Sequence, residues 1–164
     1  MTHPLKVWAI SLAAFLALWF ASIPVRAGEP TYVGYERCKD CHPRQYETWK
    51  RHAHSRAFAP LRDGRQKDAK CVVCHSTGTE KGQILEDVQC EACHGPGSLY
   101  KGPTVMSKGM FRKDREAQRR LAAEAGLTPI EEAICLRCHG KERPPGHPPA
   151  RPFEYPRALE TVRH

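Results

Sequence analysis

The eight cysteines of this 164-residue chain fall into four copies of one pattern, and no cysteine lies outside it. Each copy has two cysteines three positions apart, followed at once by a histidine. The copies are Cys38-x-x-Cys41-His42, Cys71-x-x-Cys74-His75, Cys90-x-x-Cys93-His94 and Cys135-x-x-Cys138-His139. The intervals between copies are unequal, so they are not the fixed-period repeats of a solenoid. The fold must therefore accommodate four separate sites of one chemical kind.

The order of residue types in each copy is that of a c-type haem attachment site. Two thiols at this spacing reach the two vinyl groups on one haem edge, and the next histidine lies under the iron as its proximal ligand. Zinc knuckles and disulfide frameworks also use C-x-x-C pairs, but neither explains a histidine after every pair. With nine histidines in the chain, four such placements would arise by chance about 10⁻⁵ of the time, whereas haem attachment requires them. The motifs predict four covalently attached c-type haems and their irons.

Residues 1–27 are typical of a secretory signal peptide. Lys6 supplies the positive n-region, residues 7–23 the apolar h-region, and Val25-Arg26-Ala27 the small-residue cleavage site. The apolar run is at the low edge of the length that crosses a membrane, so an uncleaved anchor in the inner membrane is the alternative. In both cases residues 28–164 are exported. Because c-type haem is attached outside the cytoplasm, we expect a periplasmic domain.

The exported part is polar and rich in proline, so its apolar side chains alone would make a thin core. One haem per roughly 34 residues would supply the missing interior. We therefore expect one mostly helical domain with long loops, a small multihaem cytochrome c fold organised around four covalently bound haems. The formal charge of +8 becomes +6 without Lys6 and Arg26. Haem propionates could offset that charge, so the basic balance does not indicate a nucleic-acid partner.

Local patterns predict four helices. One starts at Pro43 and continues past Trp49 to Ala57, and a charged one covers 110–125. A capping box at Thr128–Glu131 opens the helix of the fourth motif, and a last helix starts near Pro156. Residues 60–70 are predicted to be a polar loop and residues 143–153 an extended, proline-rich one.

Each iron has a second axial position, and the candidates to fill it are histidines outside the motifs. These distal candidates are His52, His54, His147 and His164, with Met106 and Met110 as further candidates. On a continuous helix His42 and His54 would be about 18 Å apart, so His54 would serve another haem. His52 and His54 would leave that helix about 200° apart, so one of them is spare.

Four stretches of the chain resemble the cytochrome c-554 family of periplasmic tetrahaem cytochromes. They are "YVGYERCKDCHPRQYETWKRHAHSRAF", "KCVVCHSTGT", "VQCEACHGPGS" and the closing "ALETVRH". In that family the histidine that follows the tryptophan is a distal ligand, and it falls on His54 here, with His52 at a serine position. The closing histidine of the family falls on His164. A further ligand histidine is expected after "CEACHGPGS", where this chain has Leu99 and Tyr100, and His147 does not align.

The resemblance implies a compact helical fold with closely packed haem pairs, mainly bis-histidine irons and one haem without a strong sixth ligand. It also implies an electron shuttle, which in that family typically serves hydroxylamine oxidation. We therefore expect an exported electron carrier, rather than an enzyme, that exchanges electrons with a donor and an acceptor protein. Two alternatives stay open. One is a reductase of nitric oxide, nitrite or hydroxylamine at a five-coordinate haem, and the other is a subunit that lends a histidine to a neighbouring chain. The oligomeric state is not predicted.

Overall fold

The computed structural model describes residues 28–140, 143–149 and 152–164. Helices dominate this part of the chain. They are α1 Pro43–Arg51, α2 Ala69–His75, α3 Cys90–His94, α4 Lys108–Lys113, α5 Arg115–Glu124, α6 Glu132–His139 and α7 Tyr155–Val162. Single 3₁₀ turns lie at Tyr35–Arg37, Ala53–Arg56 and Arg65–Lys67, and one hairpin pairs β1 Ser76–Glu80 with β2 Gln83–Glu86. The predicted fold class, mostly helical with long loops, is confirmed.

The predicted signal segment, residues 1–27, lies outside the described residues. In the part of the chain that the structure describes, no helix combines the length and apolar character that crossing a membrane demands.

Each motif forms a short helical turn. Helices α2, α3 and α6 end at the motif histidines His75, His94 and His139. The first motif instead precedes a helix: the amide of His42 donates to the carbonyl of Cys38 at 2.9 Å, and α1 then starts at Pro43. Because residues three apart on a helical turn share a face, the two cysteines of each motif point to the same side.

The prediction of a helix from Pro43 to Ala57 is wrong beyond Arg51, where α1 ends. His52 adopts an extended conformation, with ψ of 157°, and a separate 3₁₀ turn begins at Ala53. The ring Nδ1 of His52 accepts the backbone N–H of His54 at 3.2 Å, so the side chain caps the new turn. Such a local cap competes with continuation of the helix.

Two other helix predictions need correction. The segment 110–125 contains two helices that meet at Asp114, whose carboxylate accepts the N–H of Ala117 at 2.9 Å and starts α5. The predicted capping box does not form, since α6 begins only at Glu132 and Glu131 makes no side-chain cap bond. Instead, the amide of Thr128 donates to the carbonyl of His94 at 2.9 Å, which holds this segment extended against the third motif.

The β-hairpin was not predicted. Its two-residue turn, Lys81-Gly82, has φ of 49° and 79°, and two successive positive values define a turn whose twist suits paired strands. The buried hydroxyl of Thr77 donates to the carbonyl of Asp87 and accepts the N–H of Gln89, both at 2.7 Å. The hairpin is therefore bonded to the segment that leads directly into the third motif.

The core formed by the polypeptide is small, as the composition predicts. Among the residues that the structure describes, four apolar side chains are buried: Leu61, Tyr100, Val105 and Ala122. The last three form one cluster, against which Leu121 and Leu127 pack. Polar contacts between distant segments must therefore contribute much of the remaining cohesion.

The strongest of these polar contacts centres on Glu91, the residue after the first cysteine of the third motif. Its side chain is 1% exposed. Its two carboxylate oxygens accept the backbone N–H groups of Val33, Gly34 and Gly97 at 2.6–3.0 Å. A Cβ on Gly97 would lie 3.0 Å from one of these oxygens, so a side chain there would crowd the carboxylate. Glu91 thus joins the start of the domain to the turn that follows the third motif.

We predict that Glu91→Ala lowers the free energy of unfolding by about 3 kcal/mol or more, because three amides lose a charged acceptor in the interior. Guanidinium unfolding, followed by far-ultraviolet circular dichroism, measures this change. Glu47→Ala, on the exposed face of α1, is the matched control and should shift the midpoint little. Equal midpoints for the two variants would contradict the assigned role of Glu91.

Candidate functional site

The four motifs contact one another in the order first, third, fourth, second. Next to the first motif, the amide of Gly34 donates to the carboxylate of Glu91 in the third motif at 2.7 Å, and the neighbouring Cys90 raises the pKa of Cys38. A guanidinium N–H of Arg137 in α6 donates to the carbonyl of Ala92 in α3 at 3.0 Å. The Sγ atom of Cys74 lies 3.8 Å from the carbonyl of Arg137. Groups attached to these cysteines would therefore be close neighbours.

The contact between α2 and α6 is reciprocal. The Sγ atom of Cys138 lies 3.9 Å from the carbonyl of Val73, which mirrors the contact of Cys74 with the fourth motif. Burial, followed by the neighbouring thiol of Cys74, raises the pKa of Cys138. The second and fourth motifs thus face each other.

Three motif histidines lie opposite histidines from outside the motifs. The ring centres are 6.0 Å apart for His54 and His139, 6.2 Å for His75 and His147, and 6.1 Å for His94 and His164. A metal bound by two imidazole nitrogens at roughly 2.0–2.1 Å each gives ring centres about 6 Å apart. The spacing of all three pairs therefore suits an iron between the rings. In the described part of the chain, the ring of His42 has no such histidine opposite it.

Backbone carbonyls orient three of these rings. The Nδ1 atoms of His75, His147 and His164 are hydrogen-bonded to the carbonyls of Ala57, Pro148 and Val162. A ring that donates through Nδ1–H keeps the lone pair of Nε2 free, and metal-binding histidines commonly have their second nitrogen held in this way. The bonds place three rings in the tautomer that binds a metal through Nε2.

His54 and His52 have different surroundings. Burial, aided by the nearby His52 and His139, lowers the pKa of His54 to about 4. Its ring is therefore neutral at pH 7, as metal binding requires. His52 uses Nδ1 to accept the amide of His54, so its proton is on Nε2, and its ring lies 4.6 Å from that of His54. This geometry supports His52 as the spare histidine, which caps the turn on which His54 lies.

Tyr100, which stands near the position of an expected ligand histidine, and the two candidate methionines have structural partners. The hydroxyl of Tyr100 donates to the carbonyls of His94 and Gly95 at 3.2 and 2.6 Å, and burial raises its pKa. Tyr100 therefore supports the end of the third motif. The sulphur of Met106 accepts an N–H of Gln118 at 3.8 Å within the core. The amide of Met110 donates to the Ser107 hydroxyl in the first turn of α4.

The residues of the site fit haem better than they fit zinc or disulfides. All eight cysteines lie in the described part of the chain and form no disulfide. Over the same residues, no three Cys, His, Asp or Glu side chains converge as a tetrahedral zinc site needs. Close to Cys138 and His139, the buried Nε of Arg143 has no hydrogen-bond partner among the described residues. A haem propionate is the kind of group that would satisfy it.

Glu91 was missed by the sequence analysis because it occupies a variable position inside C-x-x-C. The sequence feature that points to close packing here is the glycine-rich turn after Glu91. Gly95 in this turn has φ of +77°, and a Cβ there would lie 2.8 Å from the carbonyl of Gly126. The close packing of this turn accounts for the glycines in the "CEACHGPGS" run.

Short helical turns with C-x-x-C-H motifs in mutual contact, and histidine rings opposite three of the four motif histidines, define the architecture of a multihaem c-type cytochrome.

Comparison with known proteins shows which cytochromes the chain resembles. The family model described as "Cytochrome c554 and c-prime" matches residues 37–95. Cytochrome c-554 of Nitrosomonas europaea is 30% identical over 139 residues, which is 69% of this chain and 59% of that protein. The solved structure of reduced cytochrome c554 from the same organism matches with a TM-score of 0.56 and 26% identity, over 82% of this chain and 79% of that one. The chain is thus a relative of the cytochrome c-554 proteins, and the resemblance seen in its motifs is confirmed.

We predict that His54→Ala and His52→Ala have different spectroscopic effects. Loss of His54 should convert one ferric haem from low to high spin, because it removes the ring opposite His139. Loss of His52 removes only a turn cap, so it should cost about 1 kcal/mol of stability and leave all haems in their wild-type spin states. Low-temperature EPR of both oxidised variants, each with a haem count, makes the comparison. A larger gain of high-spin signal in His52→Ala would reverse the two assignments.

Proposed function

We propose that residues 28–164 form an exported tetrahaem c-type cytochrome that carries electrons between a donor and an acceptor protein. Residues 1–27 act as its signal peptide, and retention of this segment would tether the protein to the inner membrane. The haems are attached through Cys38, Cys41, Cys71, Cys74, Cys90, Cys93, Cys135 and Cys138. The proximal ligands are His42, His75, His94 and His139. His54 and His164 are distal ligands, opposite His139 and His94.

The observation that carries this proposal is the unbroken series of contacts between motifs. A bond from the Gly34 amide to Glu91 joins the start of the first motif to the third, an Arg137 bond joins the third to the fourth, and reciprocal contacts join the fourth to the second. Cysteines in such contact would hold neighbouring haems close together. Haem iron supplies the one-electron chemistry, and the protein fixes the distance and orientation.

The paired histidines support a carrier rather than a catalyst at three of the four sites. A ring on each face of an iron leaves no position for a substrate. Two imidazole ligands also favour a lower reduction potential than the His/Met pair found in other c-type cytochromes. His54 would contribute to this in its neutral form, which its lowered pKa preserves.

Small-molecule reduction at the first haem is the second candidate, because His42 alone among the motif histidines has no histidine ring opposite it in the described part of the chain. Tyr100 is not a convenient proton donor for this chemistry, since its hydroxyl already donates to two carbonyls. Turnover of nitric oxide, nitrite or hydroxylamine with a reduced mediator tests this candidate. A haem-bridged oligomer is less favoured, because the three histidine pairs form within one chain.

We predict four haems per chain and several distinct reduction potentials. A pyridine haemochrome assay and the mass of the intact protein give the count, and a spectroelectrochemical titration gives the potentials. Close haems interact, and their burial differs, so the titration should spread beyond a single one-electron curve. Fewer than four haems, or one common high potential for all four, would contradict the proposal. A mature N-terminus at Gly28 in the periplasmic fraction would show cleavage of the signal, whereas an intact N-terminus in the membrane fraction would show a tether.

A further inference from the structure

We propose that His147 is the sixth ligand of the iron whose proximal ligand is His75, so that the second haem is closed by a loop of the same chain. This inference rests on the tetrahaem assignment proposed above. It adds a ligand that neither the motifs nor the alignment with cytochrome c-554 assigns.

The two rings have the geometry of an axial pair. Their centres lie 6.2 Å apart, close to the 6.0 and 6.1 Å of the other two histidine pairs. Both Nδ1 atoms are held by carbonyls from separate segments, that of His75 by Ala57 and that of His147 by Pro148 at 2.7 Å. With both Nδ1–H groups donating, the free lone pairs belong to the two Nε2 atoms. Two histidine ligands of one iron both need this tautomer, because each binds the metal through Nε2.

The loop that carries His147 has few alternative conformations. The amide of His147 donates to the carbonyl of Pro144 at 3.1 Å and closes a four-residue turn. Pro145 fixes φ at the second position, and Gly146 has φ of +80° at the third, which together define a type II turn. A Cβ on Gly146 would meet nothing within 4 Å, so the glycine is needed for its backbone angle and not for space. Pro148 follows directly. A restrained loop loses little entropy when its histidine binds.

The helix that the loop follows is packed next to the second motif. The loop follows α6, and α6 packs against α2 through the contacts of Cys138 with Val73 and of Cys74 with Arg137. Since α2 ends at His75, the fourth motif positions its own trailing loop over the second motif. With His147 on the second iron, the iron of His42 would be the one without a second histidine ligand among the described residues.

The test is His147→Ala in the full haem-loaded protein, with Pro149→Ala as the control in the same loop. We expect high-spin ferric haem in the EPR and magnetic circular dichroism spectra to rise by one haem per chain. Binding of carbon monoxide to the reduced protein should also rise by one equivalent, and added imidazole should restore the low-spin state. Pro149→Ala should match the wild type. Wild-type spectra and carbon monoxide stoichiometry in His147→Ala would overturn the inference.

His147→Met keeps the test decisive if the alanine variant does not accumulate. A thioether in place of the imidazole should leave the haem low-spin and raise the potential of one haem out of four. Four unchanged potentials would overturn the inference. The haem count of each preparation separates the two proposals: four haems with no effect of the substitution contradicts only the role of His147, whereas fewer than four haems in the wild type contradicts the tetrahaem assignment.

Discussion

The meeting of histidine rings from distant segments is the constraint on which the rest of the structure depends. The three pairs join His54 to His139, His75 to His147 and His94 to His164, so each closes a long stretch of chain. An iron held by both rings of a pair would turn each closure into a bonded crosslink. The short helices then need only bring the rings to the right separation. This explains how a chain with so few buried apolar residues adopts a defined fold.

Polar contacts between segments add cohesion beyond that of the three histidine pairs. Glu91 gathers three amides from two segments, Thr77 joins the hairpin to the third motif, and Tyr100 supports the carbonyls at the end of α3. All three contacts converge on the third motif, which touches the first and the fourth. The third motif is therefore the structural centre of the domain, and its glycine-rich turn leaves room for that packing.

Local chemistry in the sequence predicts the haem sites from cysteine spacing, and the resemblance to the cytochrome c-554 family predicts His54 and His164 as ligands. The structure places these two histidines opposite His139 and His94, and ligation by them stays a prediction. Local patterns fail where a side chain redirects the backbone, as His52 does by ending α1 and Asp114 does by dividing a helix in two. The position of His147 opposite His75 depends on the packing of α6 against α2, which no local pattern contains. Glu91 could not be predicted because its importance comes from amides in two other segments.

In the arrangement that we propose, three irons have histidine on both faces and the iron held by His42 has histidine on one face. Low-temperature EPR of the oxidised wild-type protein, with a haem count on the same sample, tests this most directly. We expect four haems, three with low-spin bis-histidine signals and one with a different signal. Two or more high-spin haems, or four equivalent bis-histidine signals, would contradict it.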